Sequence, residues 1–195
     1  MVIAGFIFLA SALSGDLLFT NSFYADELPE NSAPKWVVKG NAGSVAAADG
    51  LLNVSSEGIG KRQFYVMDAA SGAWDMSGGL ATVEFRMKCA SDDPEDEVFR
   101  VQLSDGKQMW RVNFYNGRCN GVAVATGDWD TYRLTIKDGK MQVSSEKLGV
   151  IVADIAPAPL EDSPSLLFGT FKTSPKFATR SWDLDFIRWT NEKLE

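Results

Sequence analysis

Apolar and polar residues alternate one for one over much of the chain. In Ala81–Lys88, Val83, Phe85 and Met87 fall on one side of an extended strand. Thr82, Glu84, Arg86 and Lys88 fall on the other, because successive strand side chains point to opposite faces. The same period of two runs through Phe99, Val101, Leu103; Trp110, Val112, Phe114; Tyr132, Leu134, Ile136; and Trp182, Leu184, Phe186. β-branched and aromatic residues dominate these runs, as pleated packing favours. No window after residue 25 sustains a 3.6-residue apolar period, so helices are expected to be few and short. Asp49-Gly50, Asp105-Gly106, Asn116-Gly117 and Asp138-Gly139 separate the runs as hairpin turns do. Many short strands at roughly 8- to 12-residue spacing predict an all-β, two-sheet antiparallel sandwich with those five apolar faces as its shared interior.

Composition narrows the function. The chain has 195 residues, a formal net charge of -7 and no histidine. An acidic balance argues against a general nucleic-acid binder, which presents a basic field to phosphates. Without histidine, the usual general base and the usual zinc ligand are missing. The two cysteines, Cys89 and Cys119, allow one disulfide in an exported protein or two unpaired thiols. Residues 1–15, "MVIAGFIFLASALSG", read as a signal-like apolar segment with Ala10-Ser11-Ala12 as its cleavage site, although no basic residue precedes Lys35. An ordered, buried N-terminal segment is the alternative. The run is too short for a membrane span, so the expected location is secreted or periplasmic. Residues 16–195 form one domain, in which "APAPLEDSPS" is a connection between strands.

The polar sides of the strands carry the candidate chemistry. They hold Glu84, Arg86 and Lys88; Arg100 and Gln102; Arg111, Asn113 and Tyr115; and Arg133, Thr135 and Lys137. Six cations against one carboxylate, in an acidic protein, favour a ligand face over a merely solvated one. If strands 81–88, 98–103 and 109–115 share a sheet, then Glu84, Arg86, Arg100, Gln102, Arg111, Asn113 and Tyr115 line one trough. The arginines would pair with uronate or sulfate groups, and the amides would orient hydroxyls. Asp183 and Asp185 share a strand side and are read as structural. "SDDPEDE" (91–97) offers oxygen ligands for calcium or is a solvated loop; no other cofactor is implied. Trp74 and Trp129, in turns, are candidates for stacking on sugar rings or for packing. Asn53-Val54-Ser55 is a glycosylation sequon.

Three stretches carry a resemblance. "GDLLFTNSF" with "KWVVKGNAGSVAAADGLLNVSS", then "DWDTYRLTIKDGKMQVSS", then "RSWDLDFIRW" resemble the concanavalin A-like lectin/glucanase superfamily, including laminin-G-like and bacterial sugar-hydrolase-like domains. The likeness spans residues from about 16 to 190 and implies a jelly roll whose concave outer face holds saccharide. It therefore implies a carbohydrate or polysaccharide partner. Enzymes of this superfamily place carboxylates as E-x-D-x-E, whereas here Glu84 is followed on the same face by Arg86 and Lys88. Alginate lyases on the fold carry R-x-E-x-R and Q-x-H; this chain has Thr82-Val83-Glu84-Phe85-Arg86 and Gln102-Leu103-Ser104. The leading expectation is a lectin-like protein that recognises an acidic polysaccharide. The alternative is a glycoside hydrolase or lyase with Glu84 or Tyr115 as the proton-transfer group. A third reading is an assembly module whose sheet face is buried by another subunit.

Overall fold

The computed structural model describes residues 19–172 and 178–191. Both the apolar segment 1–15 and its expected cleavage site lie outside them. The first strands in chain order are β1 (Asn21–Tyr24), β2 (Val37–Gly40), β3 (Ser44–Ala48), β4 (Leu51–Glu57), β5 (Gln63–Asp68), β6 (Ala81–Ser91), β7 (Glu97–Ser104) and β8 (Gln108–Tyr115). There follow β9 (Arg118–Cys119), β10 (Val122–Ala123), β11 (Asp130–Lys137), β12 (Lys140–Ser145), β13 (Gly149–Ile155), β14 (Ala158–Pro159), β15 (Ser165–Thr170) and β16 (Thr179–Thr190). The helices among the described residues are two single 3-10 turns, Pro29–Asn31 and Ala69–Ser71.

All pairings are antiparallel, and they make two sheets. The β6 sheet runs β13-β12-β11-β6-β16-β4-β3, with β1 also on β16. The β8 sheet runs β10-β9-β8-β7-β15-β5-β2, with β14 also on β8. At Asp49-Gly50 and Asp138-Gly139 both central residues have positive φ (54° and 73°; 52° and 74°). That is the type I′ geometry whose twist matches the strands it joins.

The apolar faces meet as the alternation predicts. Phe85, Tyr132 and Trp182 from one sheet interlock with Phe99, Phe114 and Phe168 from the other, at ring separations of 4.8 to 6.2 Å. The buried indoles also find acceptors: Trp182 Nε1 donates to Thr170 Oγ1 (3.0 Å) across the sandwich, and Trp74 Nε1 to the Ser104 carbonyl (3.0 Å). Trp74 is thus a core residue and offers no ring to a sugar.

Two expectations are corrected. Phe186 does not share the inner side with Trp182 and Leu184. A bulge between Leu184 and Phe186 inserts Asp185 as an extra residue, so the alternation is reset and Ile187 and Trp189 fill the core instead. Segment 81–88 also does not share a sheet with 98–103 and 109–115: the connection 92–96 crosses from one sheet to the other. That connection is tied at both ends. Asp92 Oδ1 accepts from the Thr179 N–H (3.0 Å), Arg118 Nη2 donates to the Pro94 carbonyl (2.6 Å), and the sealed Asp96 carboxylate faces Arg180 Nε at 3.2 Å. Cys89 and Cys119 are both buried free thiols.

Candidate functional site

Five of the seven expected site residues come together. On the outer face of the β8 sheet, register places Arg100 beside Asn113 and Gln102 beside Arg111, with Tyr115 opposite Glu97. Arg100 Nε donates to Asn113 Oδ1 (2.9 Å), and Arg100 Nη2 to Glu97 Oε2 (2.6 Å). Glu97 is buried, and its other oxygen has no hydrogen-bond partner.

Beside this pair lies a groove of about 730 Å³, bounded by Met109, Arg111, Asn113, Tyr115, Arg118 and Lys172. Arg118 sits over the Tyr115 ring (5.3 Å) and pairs with the exposed Glu95 (2.9 Å). Arg111 is exposed and has no ion-pair partner among the described residues. The Tyr115 phenol is held above its ordinary pKa, first by burial and then by the Glu97 carboxylate, against the pull of Arg100, Arg118 and Arg111. It therefore enters the groove as a hydrogen-bond donor across the physiological range.

The groove's neighbour on the same face is apolar. The next rows across the sheet are Leu167 and Gly169 on β15, then Phe64 and Val66 on β5. Phe64 stacks on Phe171 (4.3 Å, 23°), and Arg100 lies over Phe171 at 5.1 Å. A cationic groove thus passes directly into an aromatic shelf, a pairing suited to ring-shaped, charged ligands.

Glu84 and Arg86 occupy the outer face of the other sheet. Glu84 Oε2 accepts from Arg133 Nε and Nη2 (2.9 and 2.5 Å). Glu84 Oε1 accepts from Arg188 Nε (2.8 Å) and Nη2. With four N–H groups on it and 3% of its surface exposed, this carboxylate has no lone pair turned to a substrate. Arg86 pairs with Asp185 (2.6 Å) and Lys88 with Asp183 (3.1 Å); both cations lie over Trp129 at 5.0 and 5.3 Å. The apparent excess of cations on the polar strand sides therefore divides by sheet. On the β6 sheet carboxylates from β16 neutralise Arg86 and Lys88 while Arg133 and Arg188 share Glu84, and on the β8 sheet the excess persists at Arg111 and Lys172.

The sequence reading passed over Arg118, Asn120 and Lys172, and took Glu97 only as the end of the 91–97 calcium-binding or solvated loop, whereas it opens β7 as a buried carboxylate. Arg118 and Asn120 follow the Asn116-Gly117 turn, a signal that a strand doubles back beside Tyr115, yet β9 has two residues and no alternation to read. Lys172 arrives from β15, distant in sequence. Among the described residues no group of three or more acidic or cysteine side chains is placed to hold a metal ion.

No protein-family model matches the chain, and no curated protein matches it. Solved structures do. One described as "Crh5 transglycosylase in complex with NAG" is 14% identical over 88% of this chain and 84% of that one, with a TM-score of 0.60. A structure described as "Cell entry of botulinum neurotoxin type C is dependent upon interaction with two ganglioside molecules" is 9% identical over 85% of this chain, with a TM-score of 0.58. A "Sialidase" is 9% identical over 78% of this chain, with a TM-score of 0.53. This chain spans 45% of the neurotoxin chain and 17% of the sialidase. The fold is concanavalin A-like, and at these identities the likeness establishes the fold alone.

Proposed function

We propose that this chain is a carbohydrate-binding sandwich acting outside the cytoplasm, and that its ligand is an acidic polysaccharide held in the β8-sheet groove. The observation that carries this reading is Arg111: an exposed guanidinium without an ion-pair partner among the described residues, lining an open groove together with Asn113. A free guanidinium fork matches a uronate carboxylate or a sulfate ester in bidentate fashion. Asn113 and Asn120 supply amides for hydroxyls, and the neighbouring apolar rows of Phe64, Val66 and Leu167 offer surface to the C–H side of a pyranose. Three structural neighbours named for a transglycosylase, a sialidase and ganglioside interaction make saccharide chemistry the natural ligand class to test first.

The test is calorimetric titration with oligogalacturonate and with a neutral glucan of equal length. Oligogalacturonate is expected to bind, with affinity falling as salt rises, and Arg111→Ala is expected to weaken it roughly tenfold or more. Equal binding of both sugars, or none of either, would overturn the reading.

A second reading is an enzyme in the same groove. The Tyr115 phenol lines the groove and is the proton-bearing group there that would pass a proton to a leaving glycosidic oxygen. Reducing-end release and unsaturated-product absorbance, lost in Tyr115→Phe while binding persists, would favour that reading over binding alone.

A further inference from the structure

The outer face of the β6 sheet holds a group that the groove does not use. Glu84 on β6 lies between Arg133 on β11 and Arg188 on β16, in direct cross-strand register with both. A guanidinium has five N–H groups, and each arginine spends two of them on Glu84. Three per arginine remain. The arginine side chains are 45% and 35% exposed, against 5% for that of Glu84, so these N–H groups face outward. They open into a recess of about 430 Å³ walled by Phe186, Thr131, Ser144 and Glu146. Arg188 is further held between the rings of Phe19 (4.4 Å) and Phe186 (5.1 Å).

The charge of this group is not cancelled. Two cations share one carboxylate, the nearby Asp185 and Asp183 are committed to Arg86 and Lys88, and Glu146 stands exposed at the rim where water screens it. A buried carboxylate that locks two guanidinium groups also removes the ordering cost a ligand would otherwise meet. We propose that this recess is a second oxyanion site, taking the carboxylate or sulfate of an acidic saccharide on the sheet opposite the groove. With both sites filled, one sandwich bridges two anionic chains. The bridging rests on the groove reading above; the recess itself does not.

The experiment follows the Nε–Hε correlations of Arg133, Arg188 and Arg111 by NMR while the full chain is titrated with sodium D-glucuronate or sodium sulfate. Sodium chloride at matched ionic strength and D-glucose are the controls. Saturable shifts at Arg133 and Arg188 with glucuronate are expected, and sulfate reports whether a tetrahedral oxyanion serves as well. Shifts no larger than those in chloride would overturn the site. Ser144→Asp sets a carboxylate in the recess without touching the core, and is expected to abolish the Arg133 and Arg188 shifts but not those at Arg111. Persistence of all three would also overturn it. Light scattering of polygalacturonate should rise with the wild-type chain and fall with either Ser144→Asp or Arg111→Ala. If Arg111→Ala leaves scattering unchanged while the Arg133 shifts saturate, the groove reading fails and the recess stands.

Discussion

At the scale of single residues, burial decides which groups are chemically available. Cys89 and Cys119 are 2% and 0% exposed, and burial pushes each thiol from 9.0 up to about 12. A thiol that stays protonated and sealed is a poor nucleophile. A thiol reagent such as Ellman's is therefore expected to label neither cysteine at pH 8 until urea unfolds the chain; rapid labelling of the native protein would contradict the packing. Tyr65 moves likewise, from 10.0 to about 12. A folded-state pKa above the unfolded one means that the native chain keeps protons the unfolded chain releases as pH climbs. Stability should thus be constant up to about pH 9 and decline between 9 and 12, with a shallower decline when Cys89→Ala and Cys119→Ala are combined. Urea midpoints measured from pH 7 to 11 check this. Glu84 teaches the same lesson: alternation puts it on a polar strand side as a ligand or proton-transfer group, but Arg133 and Arg188, the latter 104 positions away, close its carboxylate.

At the scale of elements, backbone irregularities place side chains that alternation alone misplaces. Asp185 is the extra residue of the β16 bulge, and it puts Phe186 beside Arg188 on the outer face. Its side chain and that of Arg86 are 30% and 41% exposed, so Asp185→Ala should cost no more than about 1 kcal/mol in urea denaturation. Deleting the residue should leave Ile187 and Trp189 in the core, because Leu184 and Phe186 would then pair with Met87 and Arg86 in unbroken register; the loss is confined to the bend and the Arg86 ion pair. Gly169 in β15 is the second case. Its φ is +124°, and a Cβ there would lie 2.4 Å from the Gln63 carbonyl oxygen on β5. Gly169→Ala is expected to destabilise the fold by about 2–5 kcal/mol, from strain and overpacking together. Strands lacking a clear pattern went unread in the sequence: β3 is mostly alanine, and β13 pairs with β12 through two register shifts.

At the scale of the whole molecule, the aromatic cluster joins the two sheets into one cooperative unit. Phe99 touches Phe85 and Trp182 from the opposite sheet and Phe114 and Phe168 from its own. Phe99→Ala should cost about 3–5 kcal/mol and leave a single transition by both fluorescence and circular dichroism; separate transitions for the two sheets would refute that unity. The sequence by itself determined the strand class, the I′ turns and the apolar interior, because side-chain alternation and turn chemistry are local properties of the backbone. It also named Arg100, Gln102, Arg111, Asn113 and Tyr115, which share the outer face of one sheet, the last three lining the groove, since β7 and β8 are joined by a short hairpin and their register follows from its length. Tertiary structure alone decided that β6 belongs to the other sheet, that Asp183, Asp185 and Arg188 partner its polar residues, and that Lys172 completes the groove. A period of two says which side of a strand faces inward, but it carries no information about which strand lies alongside, and charge compensation is settled between neighbours.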